Sequence, residues 1–251
     1  MTENLERPRT GPSSLADHLG DLARLLQQED QLEDTLDAIV HAAVGTVGGA
    51  DHASMSSVSR RGEVVTRAAT DDLPRAVDLV QYDTGQGPCL DTLWEQRTAR
   101  LPDLTDESRW PAFTARAREL GVGSMLAVRL YVHDEEDLGV LNLFSDRAHA
   151  FNDDAEHTAV LFAAHAAVAM AGAQAQAQLR EAMTTRDLIG QAKGILMERY
   201  KVTGEQAFLL LVRASQTGNR KLYDIAQELA LSGELPGPGP GRAEGVRAAT
   251  G

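Results

Sequence analysis

Five cations stand at spacings that would bring them together on short helices. Arg186 and Lys193 are seven residues apart and share a helix face. Arg213 falls late in a second helical stretch, and Arg220 and Lys221 open a third beside Asn219. Short helices meeting near Gly218 gather these groups on one surface. Guanidinium and ammonium groups so placed hold phosphates, while Gln191, Ser215 and Asn219 offer hydrogen bonds to bases or 2′-hydroxyls and Tyr223 offers a ring for stacking. A solvated helical face has the same composition, and from residue types alone it is the commoner outcome.

Cys89 follows Gly85-Gln-Gly87-Pro88. Pro88 suits the first position of a short helix, which puts the thiol in the first turn, where the helix dipole lowers its pKa. That is the redox reading of Cys89. The other reading is a small buried hydrophobe, since free cysteine is among the most buried residue types. Asp71, Asp72 and the acidic run His133-Asp134-Glu135-Glu136-Asp137 read as solvated turns rather than a metal site. His157 and His165 would point ~80° apart on one helix and do not converge, and His165 is expected to pack within a helix seam. There is no His-Glu-x-x-His and no Gly-x-Ser-x-Gly, and Gly85-Gln-Gly87 lacks the third glycine of a dinucleotide fingerprint. We therefore expect no catalysis and no metal, and the residues identify no cofactor.

The elements that must carry these groups follow from periodicity. Ser13 and Ser14 cap a first helix with Leu15, Leu19, Leu22 and Leu26 on one side, and Leu32, Leu36, Ile39, Ala43 and Val47 mark a second that stops at Gly48-Gly49. Residues 53–70 read as two short strands around Arg61-Gly62. A helix follows Trp110-Pro111 through Phe113 to Gly121. Ser124–Val132 alternates, with Leu126, Val128, Leu130 and Val132 on one face, and Leu138–Phe144 returns. The class is α+β. From Asp153 the chain is helical, and His165, Val168, Gly172, Ala175, Leu179 and Ala182 form a coiled-coil-like seam. Three short helices end the ordered part: Thr185–Tyr200, one opened by a Thr203-x-x-Gln206 capping box, and one after Gly218-Asn219. Their expected core includes Ile189, Ala192, Leu196, Ala207, Phe208, Leu211, Leu222, Ile225 and Ala226. Gly194 is expected to serve close helix packing, because glycine costs about 1 kcal/mol relative to alanine there. Gly233–Gly251 is rich in proline and glycine and reads as disordered.

Composition sets the limits. The chain has 251 residues, 43% hydrophobic and 24% charged, which excludes wholesale disorder and a membrane bundle. The first ten residues hold no apolar signal-peptide core, and the apolar stretch Ala159–Ala173 is shorter than the roughly 20 residues of a membrane span. A single cysteine excludes an internal disulfide and a multi-cysteine metal site, and makes the cytoplasm the expected compartment. The net charge of −13 argues against polyanion binding over the whole surface. Residues 180–232, however, hold eight Lys/Arg against six Asp/Glu, and the tail balances, so residues 1–179 carry −15. A polyanion would meet the C-terminal part.

Three blocks then carry a resemblance. Arg186-Asp-Leu-Ile-Gly-Gln-Ala-Lys-Gly-Ile-Leu-Met-Glu-Arg-Tyr200, Gln206-Ala-Phe-Leu-Leu-Leu-Val-Arg-Ala-Ser215 and Asn219-Arg-Lys-Leu-Tyr-Asp-Ile-Ala226 resemble the ANTAR domain, an RNA-binding antitermination module. Residues 30–175 resemble the GAF sensory domain that precedes ANTAR in many actinobacterial regulators. The matching segments are Arg67-Ala-Ala-Thr-Asp-Asp72, Gly85-Gln-Gly-Pro-Cys-Leu-Asp91, Trp94-Glu-Gln-Arg97, Arg109-Trp-Pro111, Glu119-Leu-Gly121 and Leu138-Gly-Val-Leu-Asn-Leu143. The resemblance implies a GAF domain, an antiparallel sheet flanked by helices, joined by a long helix to a three-helix ANTAR bundle. The expected bounds are 1–29 for an N-terminal helical segment, 30–175 for GAF, 153–183 for the connecting helix, 184–232 for ANTAR and 233–251 for the tail. It further implies a homodimer, a small-molecule or redox signal in the GAF domain, and binding of RNA hairpins in nascent transcripts that favours read-through. Arg186, Gln191, Lys193, Arg213, Ser215, Asn219, Arg220, Lys221 and Tyr223 are then the RNA-binding set, and Cys89 the redox- or ligand-sensing residue. Two rivals remain: a protein-docking sensor without RNA, and a DNA-binding regulator whose last two helices form a helix-turn-helix with Gly218 in the turn.

Overall fold

The structure, a computed structural model, describes residues 20, 31–59, 61–94, 97–131 and 137–235. The expected first helix, the acidic run between the paired strands and the tail from residue 236 onward lie outside the described residues.

The chain divides into two compact units, Met1–Ala175 and Gln176–Gly251. In the first, helix α1 (Leu32–Thr46) leads into strands β1 (His52–Val58) and β2 (Val64–Ala69). Helices α2 (Asp72–Thr84) and α3 (Pro88–Trp94), the short strand β3 (Thr98–Leu101) and helix α4 (Pro111–Glu119) follow. Strands β4 (Ser124–Tyr131) and β5 (Asp137–Ser145) complete a five-stranded sheet of order β2-β1-β5-β4-β3, antiparallel throughout. Helix α5 (Asp153–Tyr200) then runs for 48 residues. Its start is capped by Asn152, whose Oδ1 accepts from the Ala155 amide at 2.9 Å.

The sheet is covered on both faces. Leu126, Val128, Leu130, Leu141 and Leu143 face α1 (Leu36, Ile39, Val40, Ala43) and the start of α5 (Ala159, Phe162, Ala163, Ala166, Met170). Met125, Ala127, Val140 and Phe144 face Val77 and Val80 of α2, Cys89 and Leu93 of α3, and Phe113 and Ala117 of α4. The central strands are therefore apolar on both sides, and the alternation in Ser124–Tyr131 sorts residues between two cores rather than between core and water.

Two elements escape a reading by periodicity. β3 has only four residues. α2 buries Asp78 and Gln81 on its inward face, which breaks the apolar stripe. Its ends are conventional: Asp71 accepts from the Leu73 amide at 2.9 Å, and Gly85 closes it at φ 62.

α5 departs from expectation in two ways. The stretch Thr185–Tyr200 is its last part, not a separate helix. The seam residues His165, Val168, Gly172, Ala175, Leu179 and Ala182 are exposed, because the side that packs on the sheet is the Ala159–Met170 stripe. Among the described residues His165 therefore packs in no seam, and its Nδ1 lies 2.8 Å from the Leu161 carbonyl oxygen. By length and composition α5 is, among the described residues, the one helix able to cross a membrane. Its apolar side is instead a core element of the sheet layer.

In the second unit, the end of α5 packs with helices α6 (Gly204–Gly218) and α7 (Leu222–Ser232) around Ala192, Leu196, Ala207, Leu211, Ile225, Ala226 and Leu229. Two expectations fail here. Phe208 is 39% exposed rather than core. A Cβ at Gly194 would meet nothing within 4 Å, so that glycine serves no close packing.

Candidate functional site

The second unit builds its surface from well-capped helices. At the start of α6 the Thr203 hydroxyl accepts from the Gln206 amide at 3.3 Å, and the Gln206 side chain accepts from the Thr203 amide at 3.0 Å. This reciprocal cap fixes where α6 leaves the turn after α5. At its other end Asn219 adopts the left-handed conformation, φ 47. The turn is locked by Ser215, whose hydroxyl donates to the Arg220 carbonyl at 2.6 Å, and by the Arg220 amide, which donates to the Ser215 carbonyl at 3.0 Å. Arg220 also pairs with Glu228 at 2.7 Å.

The predicted cationic set is distributed over two places. Arg186 and Lys193 line an open groove of about 710 Å³ between α5 and α6. Ala182, Arg186, Ile189, Gly190 and Lys193 form one stripe of α5 there, and Phe208 of α6 forms the opposite wall. Ser215, Asn219, Arg220 and Lys221 gather at the turn between α6 and α7. Gln191 and Arg213 are exposed on their helices outside the groove lining, and Tyr223 is half-buried. Among the described residues, Arg186, Lys193, Arg213 and Lys221 have no carboxylate partner, whereas Arg220 does. Phe208, which periodicity assigns to the core, joins the groove instead.

A second cluster, in the first unit, was not visible in the sequence. Asp78 is fully buried between α2 and the sheet. Its carboxylate accepts from the hydroxyls of Ser54 (2.7 Å), Thr66 (2.9 Å) and Ser56 (3.4 Å), and from the side-chain amides of Asn142 (3.2 Å) and Gln81 (3.3 Å). Every donor is neutral. Burial pushes the Asp78 carboxyl up to about 6, against the pull of these hydrogen bonds. The Tyr82 hydroxyl, 2.7 Å from Ser56 Oγ, is also raised, chiefly by burial and then by Asp78. Asn142 Oδ1 is buried with no hydrogen-bond partner among the described residues. The only sequence signal was negative: Ser54, Ser56 and Thr66 dilute the apolar pattern of β1 and β2.

Cys89 sits beside this cluster. Its amide donates to Gln81 Oε1 at 2.9 Å, and Gly87, at φ 144, leaves no room for a Cβ against the Gln81 side chain. Cys89 does stand in the first turn of α3, but burial and then the Asp78 charge push its thiol up to about 12. The lowered thiol pKa expected from the helix dipole is reversed, because desolvation of a fully buried thiolate outweighs one turn of dipole. Among the described residues, no group of three or more His, Cys, Asp and Glu side chains is placed to hold a metal ion.

Comparison with known proteins gives two family matches: a GAF domain over residues 29–171 and an ANTAR domain over residues 177–229. No curated protein matches the chain. Among solved structures, the GAF domain of a phosphoenolpyruvate-protein phosphotransferase from Acinetobacter is 19% identical, with a TM-score of 0.52, over 65% of this chain and 97% of that one. The corresponding GAF domain from Coxiella burnetii is 20% identical, TM-score 0.50, over 65% of this chain and 96% of that one. The photosensory core module of a Stigmatella aurantiaca phytochrome is 12% identical, TM-score 0.55, over 84% of this chain and 46% of that one. At such identities the likeness shows the fold alone.

Proposed function

The chain belongs to the GAF domain family, and from that premise we propose that it is a non-catalytic regulator whose GAF unit controls RNA binding by a C-terminal ANTAR module. In this reading the module grips hairpins in nascent transcripts and favours read-through over termination, in the cytoplasm, as in actinobacterial regulators of this domain order. The observation that carries it is the ANTAR match on helices whose Arg186, Lys193, Arg213 and Lys221 have no carboxylate partner among the described residues. Cations without partners are the groups that hold phosphates, and a near-neutral module with its positive charge concentrated on a few positions suits a discrete RNA contact.

The proposed signal is a small molecule acting at the polar cluster of Asp78, Asn142 and Cys89, where a buried, unpaired Asn142 oxygen is available to a donor. The proposed relay is α5, and the proposed dimer contact is its exposed seam, in which Val168 is 63% and Leu179 61% exposed. Apolar side chains of that size on a heptad-like spacing favour a partner helix. A relay of this kind needs two states that the signal binds unequally.

The test is binding of hairpin RNA and duplex DNA of the same sequence to the full chain across a salt series. RNA binding is expected to be the tighter and to weaken steeply with salt, by roughly 0.7 log units per neutralised single-strand phosphate for each log unit of salt. Equal or tighter binding of the DNA duplex would favour the helix-turn-helix reading. Absence of salt-dependent binding to either nucleic acid would favour a protein-docking sensor.

A further inference from the structure

We propose that the groove between α5 and α6 is a base-stacking subsite, which takes one unpaired nucleotide of an RNA loop with its base on the Phe208 ring and its phosphates on Arg186 and Lys193. The inference rests on the RNA reading above and adds to it a place, an anchor residue and a ligand class.

Four observations carry it. The first is Phe208 itself. Its neighbours Ala207 and Leu211 are fully buried, yet its ring is left 39% exposed on the wall of the groove. A phenyl face held part in water and part in protein is a ready platform for a nucleobase, because every base has a π-face to offer. The second is charge. Arg186 and Lys193 line the same groove, Glu181 is the one acidic side chain in the lining, and neither cation has a carboxylate partner among the described residues. The third is space. The groove is about 710 Å³, within the roughly 300–1,000 Å³ typical of ligand sites. Its α5 wall is bare at Gly190, where a Cβ would meet nothing within 4 Å. A glycine in a helix interior is destabilising relative to alanine, and here it keeps open a path to the ring.

The fourth observation concerns the rival occupant, a second copy of the chain. A two-fold contact sets the same patch against itself. Self-association through this groove would bring Arg186 and Lys193 of one copy near those of the other. Like charges meeting across an interface are disfavoured, whereas a phosphodiester answers both cations at once.

The experiment uses the full chain and a pool of hairpin RNAs with a fixed stem and a randomised loop. A hairpin retained from the pool is then made with 2-aminopurine at each loop position in turn. Stacking of one loop base on Phe208 quenches the fluorescence of the probe at that position alone. Phe208→Leu is expected to abolish the quench and weaken binding by about tenfold or more, while Phe208→Tyr keeps both. Gly190→Leu is the control for folding. It adds a good helix former into open space, so the midpoint of thermal unfolding holds or rises while the quench is lost. Retained quench and unchanged affinity in both Phe208→Leu and Gly190→Leu, with the unsubstituted chain binding RNA, would overturn the subsite and leave the RNA reading standing. Failure of the unsubstituted chain to bind any hairpin in the pool would overturn both. Unchanged RNA affinity with loss of self-association in sedimentation would assign the groove to a second copy and overturn the proposal.

Discussion

The buried Asp78 makes a pH prediction that can be isolated by one substitution. Its carboxyl has an ordinary value of 3.8 and is pushed up to about 6 in the folded protein. The folded state thus holds the proton more tightly than the unfolded state. Below 3.8 both states are protonated and no stability is lost on this account. As pH rises through the window between 3.8 and 6 the unfolded chain ionises first and the folded state loses ground, and above about 6 the loss is constant. A shift of that size corresponds to about 3 kcal/mol in total, of which about 2 kcal/mol falls between pH 4.5 and 7.5. Asp78→Asn removes the titration and keeps the shape. The hydroxyls of Ser54 and Thr66 can still donate to the new side-chain oxygen, and a turn of the Asn142 amide presents its unpaired oxygen to the new NH₂. Urea unfolding of both proteins at pH 4.5, 6 and 7.5 is the assay, with equal m-values as the check on a common unfolded state. The difference in stability, unsubstituted minus variant, should fall by about 2 kcal/mol across the series. Subtraction removes His52 and Asp71, whose mutual contact titrates equally in both proteins. Parallel curves would refute the claim that Asp78 is held in a medium hostile to its charge.

Three further outcomes follow from the same geometry. Phe208→Ala should cost well under the roughly 3–5 kcal/mol of a buried phenylalanine, while Leu211→Ala, at a fully buried position, should cost about 2–5 kcal/mol in the same urea titration. Gly194→Ala should stabilise by up to about 1 kcal/mol, since the new methyl meets nothing and the helix gains propensity; destabilisation would show that a close neighbour exists. Cys89, buried and with its thiol raised to about 12, should react with a thiol reagent at pH 7.5 only as fast as the protein opens, and labelling as quick as that of a free thiol would contradict its burial.

What sequence alone determined is what depends on near neighbours in the chain. The Thr203–Gln206 cap, the glycine turn at Gly62, the break at Gly218-Asn219 and the return of β5 along β4 are local choices of backbone conformation, and the residues state them directly. The shared face of Arg186 and Lys193 was legible for the same reason, as a spacing along a helix, but their separation from Arg213, Arg220 and Lys221 was not. Tertiary structure decided what depends on which face meets which. In α6, Phe208 lies ~60° from Leu211 around the helix, at the edge of the apolar stripe, so the packing of α5 and α7 settles whether it is core or groove wall. In α5, one helix carries both an alanine-rich stripe and the Val168–Leu179 seam, and the sheet takes the first and leaves the second in solvent. Asp78 is the extreme case. A carboxylate in the middle of a helix reads as a solvent-facing residue, because burying it unpaired is prohibitive. Four of its five donors lie 12 to 64 positions away in the chain and close around it only as the sheet forms; Gln81, one turn along the same helix, is the fifth.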